Sequence, residues 1–277
     1  MGSAKPRRRL IVNADDFGLS SSTNQAIIRA HREGILTSAS LMVNGGALEE
    51  AVALAKENPK LGVGLHLTLC CGRATLPPSQ IPTLVDVDGA FANSAVSAGL
   101  RYFFLPGAKL ELQREIPAQF DKFAQTGLKL DHVNGHLHFH LHPTVFSVLR
   151  KELRARRVRA VRLTYDPLRI DWPLGRGRWL YRLSHAIIFG WLSGRARSFL
   201  ARDGVAHTTF VFGLLEDGRI SADYLLGLAR ALPAGDSELY SHPSLGEFKH
   251  EYDALVSPQV KREFLMRGVQ LIRYQDL

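Results

Sequence analysis

The sequence predicts a single-domain α/β fold built on a mainly parallel sheet or barrel. Three observations carry this. Short apolar runs alternate with amphipathic segments from residue 10 to the last residues, the pattern of strands linked by crossover helices. The 277 residues are long for one domain but suit a barrel of alternating strands and helices. No internal repeat and no Pro/Gly/Ser-rich linker divides the chain.

In order, Leu10-Ile11-Val12 reads as a buried strand delivering Asn13-Ala14-Asp15-Asp16-Phe17-Gly18 at its carboxyl end. Ser20 to Thr23 offer N-caps for a helix through Ile27, Ile28 and Ala30 that closes at Gly34. Residues 38–43 form a second strand, residues 48–58 a helix stopped by Pro59, and residues 61–69 a third strand with His66 near its end. Residues 71–105 break into Gly, Pro and turn signals, an excursion over the strand ends and a candidate lid. Residues 110–123 are helical, with a kink expected at Pro117. A strand over 128–136 follows, and Pro143 opens a helix to about Arg156. Residues 158–163, 205–212 and 237–240 are further strands, the last running into Ser241-His242-Pro243. Ser221 caps a helix through Leu232, Ser257-Pro258 opens the last helix, Gly268 closes it, and residues 269–274 are the final strand.

Composition narrows the function classes. Mean hydropathy is −0.05 and hydrophobic content 45%, values of a globular chain. The formal charge of +9 is spread along the sequence without a nucleic-acid-binding motif, so an anionic membrane surface fits better than nucleic acid. The only cysteines, Cys70 and Cys71, are adjacent, which excludes a disulfide framework and suits a reducing, cytoplasmic compartment. Residues 1–9 are basic without an apolar core, hence no signal peptide, and are expected to be disordered ahead of a domain over 10–277. No apolar run approaches the roughly 18 residues that span a bilayer.

The densest chemistry lies in Asp131-His132-Val133-Asn134-Gly135-His136-Leu137-His138-Phe139-His140-Leu141-His142-Pro143, which holds five of the eleven histidines, all even-numbered. On an extended strand they would share one face, with Leu137, Phe139 and Leu141 on the other. Pro143 ends the strand, so the last histidines are expected to leave it. Neutral imidazole is the commonest metal ligand, and such a row points to a divalent cation. Asp15-Asp16, His66, His136 and His242 each stand at the carboxyl end of a predicted strand, the edge where barrel enzymes hold their sites. Adjacent aspartates on a strand point opposite ways, so one would ligate and the other stand beside the attacking water. Taken alone, His66 and His242 read more readily as satisfied core histidines, and Asp15-Asp16 reads equally well as an Asx turn.

Asn13-Ala-Asp-Asp-Phe-Gly18, Gly64-Leu-His-Leu67, Asn134-Gly-His-Leu-His-Phe-His140 and Ser241-His-Pro243 together resemble the YdjC-like (ChbG-type) carbohydrate deacetylases, over nearly the whole chain and in the family's order. Leu130-Asp-His-Val-Asn-Gly-His136 and His140-Leu-His-Pro143 are most similar to the hopanoid-biosynthesis-associated (HpnK-type) branch. The resemblance implies a distorted (β/α) barrel of the polysaccharide-deacetylase type. It implies one divalent ion held by Asp16, His66 and His136, Asp15 as general base and His242 as general acid. Asn134 stands where many relatives have Asp, so a general-base role there is not carried over. Asn134, Phe17, His138 and His140 are expected to contact substrate or orient ligands. One carboxylate and two imidazoles favour Zn²⁺, with Mg²⁺ the alternative. The expected reaction is N-deacetylation of an amino sugar, on the N-acetylglucosaminyl head of a hopanoid lipid or on soluble chitooligosaccharides. A non-enzymatic metal-binding, membrane-associated protein is the reading from another class.

Residues 176–202 mix Trp179, Leu180, Leu183, Ile187, Ile188, Phe189, Trp191 and Leu192 with six arginines. Such a helix can lie in a membrane interface, with Trp179, Phe189 and Trp191 as lipid contacts. A core helix whose arginines snorkel to solvent is the competing reading.

Overall fold

A computed structural model describes residues 7–277. The first strand, β1 (Arg8–Phe17), starts two residues ahead of its apolar run. Arg8 and Arg9 are held there because they pair with two neighbouring strands, and the Arg9 guanidinium grips Asp236 at 2.5 and 2.6 Å. The disordered segment expected over 1–9 is corrected to that extent; residues 1–6 lie outside the described residues.

The elements then follow the alternation. α1 (Ser21–Glu33) is capped by Ser20, whose side chain accepts from the Thr23 amide. β2 (Ser38–Leu41), α2 (Leu48–Glu57) and β3 (Gly62–Leu67) complete the first two crossovers. The excursion after β3 contains one helix the sequence did not signal, α3 (Ala95–Phe104), capped by Ser94. α4 (Pro106–Gln125) runs without interruption past Pro117. Next come β4 (Leu130–Gly135), α5 (Pro143–Ala155), the short α6 (Leu168–Asp171) and the long α7 (Trp179–Asp203). β5 (Phe210–Phe212), α8 (Ala222–Ala231), β6 (Gly235–Ser241), α9 (Lys249–Val256), α10 (Pro258–Met266) and β7 (Val269–Ile272) finish the chain.

All strand pairs are parallel, in the order β4-β3-β2-β1-β6-β5. β1 is the centre: β6 lies along one side, while β2 takes the upper and β7 the lower part of the other. Residues 158–163, expected as a strand, make only single bridges. Their amides and carbonyls nonetheless join the two sheet edges, through Arg162 N to Val133 O (3.0 Å) and Ala206 N to Arg159 O (2.8 Å). The result is a parallel sheet curled into a distorted barrel within one domain. A single large core of aliphatic and aromatic side chains, from Leu10 to Val269, fills the space between sheet and helices.

Candidate metal centre and active site

The carboxyl ends of β1, β3, β4 and β6 open on one rim. β1 does not end as a regular strand: its register against β2 shifts between Ala14 and Phe17, and Asp16 has a left-handed φ of 63°. Such a bulge re-aims side chains at functional edges. The two aspartates therefore do not face opposite ways. Asp15 Oδ1 lies 3.9 Å from His66 Nδ1 and Asp16 Oδ1 lies 3.2 Å from His66 Nε2, so both flank one imidazole.

His136 follows β4 and brings Nδ1 to 2.9 Å from Asp16 Oδ1. One donor atom from each of Asp16, His66 and His136 falls within 4.8 Å of the others. Ligands about 2.0–2.2 Å from a shared ion stand about 3–3.5 Å apart, which the two shorter separations match. His66 Nε2 is buried without a hydrogen-bond partner and aims at this point. Its Nδ1 donates to Asn134 Oδ1 at 2.7 Å, which leaves the Nε2 lone pair free for a cation. These residues fit a divalent metal ion.

Asn134 thus has a positional role. Its amide also donates to Asp15 Oδ1 (3.0 Å) and Ser40 Oγ (2.8 Å). Asn13 reaches the same two oxygens, each at 2.9 Å. The partner that sequence reasoning missed is Arg162, which is fully buried and holds Asp15 through Nη1–Oδ2 (2.5 Å) and Nη2–Oδ1 (3.0 Å). Burial pushes the Asp15 carboxyl up, but the Arg162 guanidinium outweighs it and holds it well below the usual carboxylate range. Arg162 also binds Glu238, which accepts from Tyr274. The available signal was the pair of arginines, Arg159 and Arg162, inside the strand-like run Val158-Arg-Ala-Val-Arg-Leu163.

His242, just after β6, stands across from this pair with Nδ1 3.6 Å from Asp217 Oδ1, a partner also missed. Burial lowers the imidazole's proton affinity, yet Asp217, Asp16 and Glu251 raise it to about 9. The Tyr240 hydroxyl donates to the same Asp217 oxygen at 3.2 Å. A cavity of about 190 Å³ opens beside Asp16 and His242, lined also by Ser20, Thr23, Ser244 and Phe248.

The histidine row does not share a face. The strand stops at Gly135, and residues 136–141 turn tightly, with Leu137 and His138 both left-handed. His132 lies below the site, bonded to Ser40 Oγ at 2.9 Å and stacked on Tyr274. Gly64 makes room for it, since a Cβ there would meet the ring at 2.4 Å. His138 is buried against the Tyr240 hydroxyl (3.1 Å), and burial beside Arg162 keeps it neutral. His140 is lowered by the same two influences to about 3 and donates from Nε2 to the Arg162 carbonyl at 3.0 Å. Both therefore support neighbours of the site. Phe17, expected near substrate, is fully buried in the core, because its register opposite Leu41 turns it inward.

Phe189 is corrected likewise. Helical periodicity places it with the buried Ser193, Ala196 and Leu200, and its ring packs on His138 at 5.2 Å. Trp179 and Trp191 are exposed. Arg182 is buried on Asp171 at 3.2 Å instead of flanking the apolar face.

The family model described as YdjC-like protein matches residues 9–265. The chain belongs to the YdjC-like family. A carbohydrate deacetylase of Geobacillus stearothermophilus is 34% identical over 97% of this chain and 98% of that protein. A chitooligosaccharide deacetylase of Proteus mirabilis is 30% identical over 97% and 98%. A carbohydrate deacetylase of Brevibacillus brevis reaches 43%, but that match spans 60% of this chain and 61% of the relative. A solved protein from Enterococcus faecalis shares the fold, with a TM-score of 0.76 and 24% identity over 98% of both chains.

Proposed function

We propose that the protein is a metal-dependent N-deacetylase that removes acetate from an N-acetylated amino sugar. The observation that carries this is the pairing of a three-donor set, Asp16, His66 and His136, with the Asp15 carboxylate and the His242 imidazole on the same rim. A divalent ion held there would supply an acidified water and polarise an acetyl carbonyl. Zn²⁺ suits one carboxylate and two imidazoles, with Mg²⁺ the alternative.

The chain's own residues do the rest. Asp15 Oδ1 accepts from Arg162, Asn13 and Asn134, whereas Oδ2 accepts from Arg162 alone. Oδ2 therefore keeps a lone pair for the proton of an attacking water. A carboxylate so strongly held is a weak base, suited to a water already made acidic. On the other side His242, protonated at neutral pH, gives its proton to the departing sugar nitrogen, and Asp217 balances the charge.

The HpnK-type motifs support an N-acetylglucosaminyl head group on a hopanoid lipid as the substrate, with the protein peripheral on the inner face of the cytoplasmic membrane. The Proteus relative's name supports a second reading, soluble N-acetylglucosamine oligosaccharides. Acetate release from both substrates, with and without chelator, tests the proposal. Release that stops with chelator and returns with Zn²⁺ or Mg²⁺ is expected, with the lipid-linked sugar preferred. Release from neither substrate by metal-loaded protein would falsify the proposal.

A further inference from the structure

Exposed apolar side chains are concentrated on two helices. On α3, Phe103 and Phe104, and on α7, Trp179, Leu180, Ile187 and Trp191, each expose 60% or more of their surface. Both helices belong to segments that leave the carboxyl ends of the barrel, the rim that carries the donor set. Both helices pack near the segment after β4: the Phe103 ring lies 6.4 Å from that of His142, and the inward-facing Phe189 ring of α7 lies 5.2 Å from that of His138. Leu137, next to the donor His136 in the same turn, is 43% exposed.

The exposed charge on these helices is mainly basic, and Asp203 at the end of α7 is taken up by Arg150 and Arg154. Residues 89–110 and 172–202 contain no Asp or Glu. Exposed Arg176 and Arg178 precede α7, and exposed Arg195, Arg197 and Arg202 follow its apolar half. Large apolar side chains exposed together on a helix face, as on α7, mark an interaction site. Tryptophan bordered by arginine suits the boundary between acyl chains and anionic head groups. A surface with this excess of exposed arginine would repel a second copy of itself, which disfavours a homodimer through this face.

We propose that α3, Leu137 and the exposed face of α7 form one collar that seats the barrel mouth on an anionic lipid bilayer. The lipid-linked substrate proposed above gives this docking its use, and the two can fail separately. Substrate would then enter the cleft from the bilayer plane, past Leu137, without leaving for water.

Flotation of the full metal-loaded chain with phosphatidylcholine vesicles, with or without phosphatidylglycerol, tests the collar. The protein should float with the anionic vesicles and partition at least about tenfold less onto neutral ones. The double variants Phe103→Ser/Phe104→Ser and Trp179→Ser/Trp191→Ser should each weaken vesicle partitioning about tenfold or more. Both should turn over a soluble N-acetylglucosamine oligosaccharide as the wild type does, which shows that they are folded. A wild type that stays in the lipid-free fraction overturns the collar. So do double variants that float normally, or a dimer that these substitutions dissociate and that binds no vesicles. Vesicle binding without acetate release from any lipid-linked sugar sinks the substrate reading and keeps the collar. Acetate release from such a sugar without vesicle binding does the reverse.

Discussion

At the scale of single residues, the site separates two titrating groups by environment. Asp15 is kept anionic by a buried guanidinium, while His242 is kept cationic by Asp217 and its acidic neighbours. A raised imidazole pKa means that the proton is present below that value and lost above it. Activity that needs His242 as an acid should therefore hold through neutrality and fall on the alkaline side. The cation's own charge pulls the value down from about 9, so the alkaline limb of kcat is expected at or somewhat below pH 9. His242→Ala should lower kcat by about 10²–10⁴ and abolish that limb. An unchanged alkaline limb in the variant would assign it to another group. Asp16, His66, His136 and His242 were all legible as residues at strand ends. Arg162 and Asp217 were not, because their partners are distant in sequence and only the closed barrel brings them together.

At the scale of elements, local rules succeeded where one strand or helix decides its own fate. The caps at Ser20, Ser221 and Ser257 and the proline openings of α5 and α10 stand as read. They failed where tertiary contacts override a pattern. The even-numbered histidines suggested one extended face, but the left-handed residues at Leu137 and His138 turn the chain after Gly135 and scatter the row. The bulge at Asp16 similarly put both aspartates on one side. The excursion after β3 is held by a stripe on α4 that spacing alone did not reveal. Glu111 Oε2 accepts from the Thr83 and Leu84 amides, Glu115 from those of Thr75 and Leu76, and Gln119 binds the Thr68 amide and carbonyl. Four-residue spacing sets these three on one helix face. Glu115→Ala leaves buried donors without acceptors and should cost about 1–3 kcal/mol in denaturant unfolding. A loss under about 0.5 kcal/mol would mean that water replaces the carboxylate there.

At the scale of the molecule, alternation was enough to predict a parallel α/β barrel, since each crossover needs a helix and each strand a parallel neighbour. The irregular closure was not legible, because residues 158–163 have a strand's composition and make only single bridges. Distinct elements deliver the three donors: β1 gives Asp16, β3 gives His66 and the turn after β4 gives His136. A cation bound there clips three parts of the sheet together and stabilises the folded chain by mass action. The central claim is that these donors grip one ion, and the most direct measurement is metal content per chain by elemental analysis after dialysis against Zn²⁺. The account predicts one ion per chain in the wild type and near none in His66→Ala, with the variant's circular dichroism unchanged. A wild type that retains no metal, or a His66→Ala protein that retains as much, would contradict it.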